Sequence, residues 1–107
     1  DIDFYRSQFT ATIQAIYNSV GENAFKNYSN GKFSKKFHPA IFDSLMVSAY
    51  FSISQKNTLP NVSLETHLSL LADSRFKESI SKRTTDIENI KRRISIAGHT
   101  LFGVVLE

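Results

Sequence analysis

Thr85-Asp-Ile-Glu-Asn-Ile-Lys-Arg-Arg-Ile-Ser-Ile-Ala-Gly-His-Thr-Leu-Phe-Gly-Val104 is the stretch that decides the fold. Within it Ile87, Ile90, Ile94, Ala97, Leu101 and Val104 alternate at spacings of three and four. Those spacings stack side chains on one face of a helix of about five turns. Thr85 and Glu88 stand three apart, the spacing of a capping box in which hydroxyl and carboxylate satisfy free N–H groups at the helix start. Gly98 and Gly103 each lower helix propensity by roughly 1 kcal/mol. Gly98 beside Ala97 suits a close approach by another helix. An apolar face this long needs further apolar faces to bury it.

The rest of the chain supplies them. Phe9, Ile13, Ile16, Tyr17 and Val20 share a face, so a helix is predicted from about Asp3 to Val20, with Gly21 as its left-handed stop. Glu22 to Tyr28 reads as a short amphipathic turn. Ser29-Asn-Gly-Lys32 is turn chemistry, and Phe33 to Phe37 reads as an irregular connector. Pro39 can open a helix because a first-turn proline gives up no intrahelical hydrogen bond. The broad apolar set Ile41, Phe42, Leu45, Met46, Ala49, Tyr50 and Ile53 marks Pro39–Ile53 as the central helix. A loop is expected over Ser54–Asn61. Leu64, Leu68 and Leu71 mark a helix from near Ser63, and Phe76 and Ile80 mark another after a break at Asp73-Ser74. The predicted fold is one all-α domain over residues 1–107, a compact bundle of about five helices. Phe9, Tyr17, Phe42 and Tyr50 are expected to face inward.

Composition narrows the function classes. The chain has 107 residues, 41% hydrophobic and 21% charged, with nine Phe, four Tyr, four Gly, two Pro and no Cys. That excludes a disulfide framework, thiol catalysis and Cys-ligated metal. No apolar run nears the ~18–20 residues of a membrane span, and no basic-then-apolar leader opens the chain. A cytoplasmic location without membrane contact is expected. The start at Asp1 and the apolar end Val104-Val-Leu-Glu107 suggest a piece of a longer polypeptide.

Reactive constellations are not apparent. His38, His67 and His99 are far apart in sequence and lack the close spacing of helical metal ligands. His38, next to Pro39, reads as a helix-start residue, and His99 is expected to face solvent or a partner. Gly98-His-Thr-Leu-Phe-Gly103 has the glycine spacing of a phosphate loop but lacks the Lys-Ser/Thr that follows it and lies in a helical pattern. No Gly-x-Ser-x-Gly elbow occurs. Asp86 and Glu88 read as charges placed favourably at a helix N-terminus. No catalytic residue, cofactor site or metal site is expected.

Charge offers the one candidate binding surface. The net charge is +3, and its excess lies between Arg75 and Arg93, seven cations against three carboxylates. Lys82, Arg83, Lys91, Arg92 and Arg93 are the candidate nucleic-acid contacts. Measured from the Ile87–Leu101 direction, Lys91 and Arg93 lie about 80° to either side and Arg92 points away, a fan suited to phosphate contact. The competing reading is a solvated helix surface, since Asp73–Lys77, Glu78–Lys82 and Glu88–Arg92 have the i, i+4 spacing of ion pairs. Arg93, flanking the core, could equally bridge to a carboxylate or helix end inside the protein.

Phe37-His-Pro-Ala-Ile-Phe-Asp43, Leu71-Ala-Asp-Ser-Arg-Phe76, Ser79-Ile-Ser-Lys-Arg-Thr-Thr85 and Ile90-Lys-Arg-Arg-Ile94 occur in that order. Together with Phe25 and Gly31-Lys32 they resemble the helical region that follows the ParB-like nuclease/NTPase domain in bacterial defence proteins of the GmrSD type. The resemblance implies restriction or anti-phage defence, with nucleotide-dependent DNA cleavage, in an intact protein. It implies for this chain a non-catalytic helical companion that docks on the nuclease/NTPase domain of the same polypeptide, with DNA as a further candidate partner. The ParB-like Asp-Gly-Gln-Gln-Arg-type motif and an HNH-type His/Asn motif have no counterpart here. Arg93 carries over as a structural or contact arginine. The alternative is a free-standing helical protein-interaction domain.

Overall fold

In a computed structural model, which describes residues 2–56, 62–82 and 84–104, the first helix, α1, runs Ile2–Val20. It ends at Gly21, whose φ of 93° is open to glycine and strained for other residues. The Gly21 N–H closes the last turn on the Tyr17 carbonyl at 2.7 Å.

The segment expected to be a turn and irregular connector is instead a β-hairpin, so the chain is mostly helical and not purely all-α. Strand β1, Lys26–Ser29, pairs antiparallel with β2, Lys32–Phe37, with a bulge between Lys26 and Tyr28. The cause is local. Asn30 and Gly31 take φ of 55° and 81°, and two consecutive left-handed residues match the twist of antiparallel strands. Tyr28 opposes Phe33 across the ladder, their rings edge-to-face at 4.9 Å. Phe25, just before β1, meets Phe37 of β2 at 6.2 Å.

Helix α2, Pro39–Lys56, begins at the expected proline and outlasts its expected end by a turn, taking in Ser54–Lys56. Residues 57–61 of the anticipated loop lie outside the described residues. α2 is the central element, packing against α1 and the last helix. Ile41, Leu45 and Ala49 are fully buried along it. A second row at the same spacing, Ala40, Ser44, Ser48 and Ser52, is also buried. Small side chains let neighbouring backbone come close, and the hydroxyls remain satisfied within the helix. The Ser44 hydroxyl donates to the Ala40 carbonyl at 2.6 Å, and that of Ser48 donates to the Ser44 carbonyl.

Helix α3, Leu64–Ala72, is capped by the Ser63 hydroxyl, which accepts from the Thr66 N–H at 3.1 Å. The expected break falls at Asp73. Its N–H donates to the Leu70 carbonyl at 3.1 Å. Its carboxylate accepts from the N–H groups of Arg75 and Phe76 at 2.8 and 3.2 Å. One residue thus ends α3 and caps α4, Ser74–Ser81.

The last helix departs from its predicted phase. α5 covers Ile87–Ala97 with Asp86 at the N-cap position; Thr85 forms no capping box. Ile87, expected in the core, is 68% exposed. Arg93 and Ile96 are buried beside the expected Ala97, while Ile90 and Ile94 sit at the margin. The inward direction is rotated by roughly 70° from the isoleucine stripe. A π-helical turn over Gly98–Phe102 follows and buries Gly98, Leu101 and Phe102. Such a turn adds residues to the loop closed by each hydrogen bond and so shifts side-chain register. Gly98 begins this turn, which packs on α2. Gly103, at φ 65°, ends the helix before the expected Val104, which is itself buried. No helix among the described residues is long and apolar enough to cross a membrane.

Candidate functional site

The α4–α5 junction is where the structure places the arginine that matters most. Arg93 is 3% exposed. Its Nη1 donates to the Thr84 carbonyl at 2.7 Å and to the Ser79 carbonyl at 3.5 Å. Asn89 does the same nearby, its Nδ2 reaching the Lys82 carbonyl at 3.0 Å. Helix ends leave carbonyls without intrahelical donors, so α5 satisfies the C-terminal end of α4 from the side. Of the two roles open to Arg93, the structure supports the bridge to a helix end. Burial lowers its pKa and the Asp43 carboxylate opposes that shift. His38, brought to the same neighbourhood, is held below its usual value by burial first and by the Arg93 charge second.

The cationic fan expected on α5 is therefore broken. With Arg93 turned inward, Lys91 lies about 160° and Arg92 about 100° from it, and both are exposed, as is Lys82. Arg83 lies outside the described residues. The anticipated i, i+4 ion pairs do not form as drawn. Asp73 pairs with Arg75 at 3.2 Å and not with Lys77, and Arg75 holds its carboxyl below the usual carboxylate range. Among the described residues neither Glu78–Lys82 nor Glu88–Arg92 closes into an ion pair.

The histidines do not converge, and among the described residues no group of three His, Cys, Asp or Glu is placed to hold a metal ion. His99 is exposed on the π-helical turn. His67, on α3, is fully buried, and neither ring nitrogen has a hydrogen-bond partner. Burial lowers its pKa to about 4, so it is neutral at physiological pH.

What the sequence reading missed is an open apolar groove between α1 and α2. Phe9, Tyr17 and Tyr50 were expected inward and are 49%, 50% and 47% exposed; Phe42 is half-buried. Phe9 and Thr12 form one wall of the groove, and Phe42, Met46, Tyr50 and Ile53 form the other, around about 360 Å³. The floor at one end is aromatic: Phe42 meets Phe9 at 6.3 Å, Phe25 at 4.9 Å and Phe37 at 5.4 Å. Helical periodicity identified the right faces; whether another element covers them is a tertiary matter. No family model, curated protein or solved structure matches this chain. Among the described residues, fold and site together define a helical scaffold with a hairpin and an open apolar groove.

Proposed function

We propose that this chain is a helical docking module, without catalysis of its own, that receives an apolar helix in the groove between α1 and α2. One observation carries the reading: Phe9 and Tyr50, half-exposed, rim a groove of about 360 Å³ lined mainly by apolar side chains. Exposed apolar concavities of this kind mark interaction surfaces. In line with the resemblance to GmrSD-type proteins, the host is a cytoplasmic bacterial defence protein, and this module is the helical companion of its nuclease/NTPase domain. The parent open reading frame tests that host directly, through the presence or absence of a ParB-like domain before residue 1. A free-standing interaction domain would use the same groove.

The groove is tested with 1-anilinonaphthalene-8-sulfonate. The folded chain should enhance its fluorescence, and Tyr50→Lys should remove most of the enhancement with little change in melting temperature. No enhancement by the folded chain would remove the groove as a binding surface. Phosphate contact is the second reading, favoured by the exposure of Lys82, Lys91 and Arg92. It requires a DNA mobility shift that weakens with salt and with Lys91→Glu and Arg92→Glu; migration unchanged at low salt removes it.

A further inference from the structure

We propose that the occupant of the α1–α2 groove is a second copy of this chain, inserted through the first two turns of its own α1. The inference rests on the docking reading and names its partner.

On α1, Ile2, Phe9, Ile13, Ile16 and Val20 fall within about 60° of one another at 100° per residue. They make a single ridge. Its C-terminal half is covered, with Ile16 1% exposed and Ile13 and Val20 packed against the core. Its N-terminal half is bare, with Ile2 74% and Phe9 49% exposed. The chain therefore carries an uncovered apolar ridge beside an uncovered apolar groove, and Phe9 belongs to both. Two copies related by a two-fold axis, with their α1 helices antiparallel, seat each Ile2 in the other's groove. The contact is self-complementary, as a closed dimer requires.

Length and charge agree. Ile2 to Phe9 spans about 11 Å of helix and Phe42 to Ile53 about 16 Å, at 1.5 Å per residue. Asp43, exposed, is the charged residue in the groove lining. Arg6, also exposed, lies 40–60° from Ile2 and Phe9 at about 100° per residue. An incoming α1 thus carries a guanidinium beside its ridge, opposite in sign to the carboxylate at the groove. The exposed fractions of Ile2, Phe9 and Tyr50 amount to roughly 300 Å² of apolar surface per copy, given ~150–250 Å² per aromatic side chain. A standard interface buries about 800 Å² per partner, so this contact is well under half that size and the pairing is weak.

Sedimentation velocity across a concentration series tests this. The 107-residue chain should move from its monomer mass of 12.1 kDa towards twice that mass. Ile2→Asp alters a side chain outside the core, and should raise the dissociation constant at least about tenfold without changing the melting temperature. Arg6→Glu should weaken pairing about fivefold. A single 12.1 kDa species at every concentration overturns the proposal. So does a dimer indifferent to both Ile2→Asp and Tyr50→Lys, which must use another face. A monomer that still binds the dye through Tyr50 sinks the pairing and leaves the docking reading standing. Loss of dye binding as well sinks both.

Discussion

The Arg93 guanidinium donates to the Thr84 carbonyl at 2.7 Å, so a cation from the middle of α5 holds the chain that leaves α4. The Ser79 carbonyl, in the last turns of α4, lies within reach of the same nitrogen. One side chain thereby fixes the α4–α5 angle from inside the protein.

Replacing it should be costly. Arg93→Ala strips the donor from two carbonyls and should lower the unfolding free energy by about 2–3 kcal/mol. Arg93→Lys keeps the charge but not the planar fork and should fall between. Urea denaturation measures both. A loss for Arg93→Ala smaller than about 0.5 kcal/mol, as for an ordinary surface site, would show that the junction does not depend on it.

His67 makes stability depend on pH. Its pKa is about 4 in the folded protein against 6.5 when exposed, so between these values the unfolded chain binds the extra proton. Its contribution is complete above pH 6.5 and is lost as pH falls towards 4, on the order of 3 kcal/mol across the window. His38 shifts in the same direction and adds to the slope. His67→Leu has no proton to gain and removes two unpartnered buried nitrogens. Its stability should change less between pH 6.5 and 4 than that of the native chain; equal slopes would mean the imidazole is hydrated.

The hairpin turn can be examined at Gly31. A Cβ there meets nothing within 4 Å, so any cost comes from the backbone at φ 81°. Gly31→Ala should destabilise by about 1 kcal/mol and lower the melting temperature by roughly 4–6 °C. An unchanged melting curve would argue against consecutive left-handed residues at this turn.

The phase of α5 gives a paired comparison. Ile87→Asp, at a site 68% exposed, should change stability by no more than about 0.5 kcal/mol. Ile96→Asp buries a charge without a partner and should cost several kcal/mol. Calorimetry of the two variants distinguishes this phase from the one read off the isoleucines, which predicts the larger loss at Ile87.

Much of the architecture is written locally. The proline at the start of α2, Gly21 after α1 and the Asp73 hinge between α3 and α4 each act through hydrogen bonds within a few residues. The hairpin is local too, since Asn30-Gly31 is a strong turn signal. Its strands, Lys-Asn-Tyr-Ser and Lys-Phe-Ser-Lys-Lys-Phe, are short and polar enough to resemble a connector. The α5 phase was misread for a different reason. Periodicity counts apolar residues, and Arg93 contributes nothing to that count although it is buried.

Sequence alone determined where most helices begin, that α2 is central, and that no cysteine chemistry is available. Capping and turn residues act at short range, so those features survive without knowledge of neighbours. Only tertiary structure decided that Arg93 turns inward, that Ile87 turns outward, and that the apolar faces of α1 and α2 diverge into an open groove. Each of those outcomes depends on which distant element lies opposite: a helix end with free carbonyls draws the guanidinium in, and a face with no helix against it stays exposed.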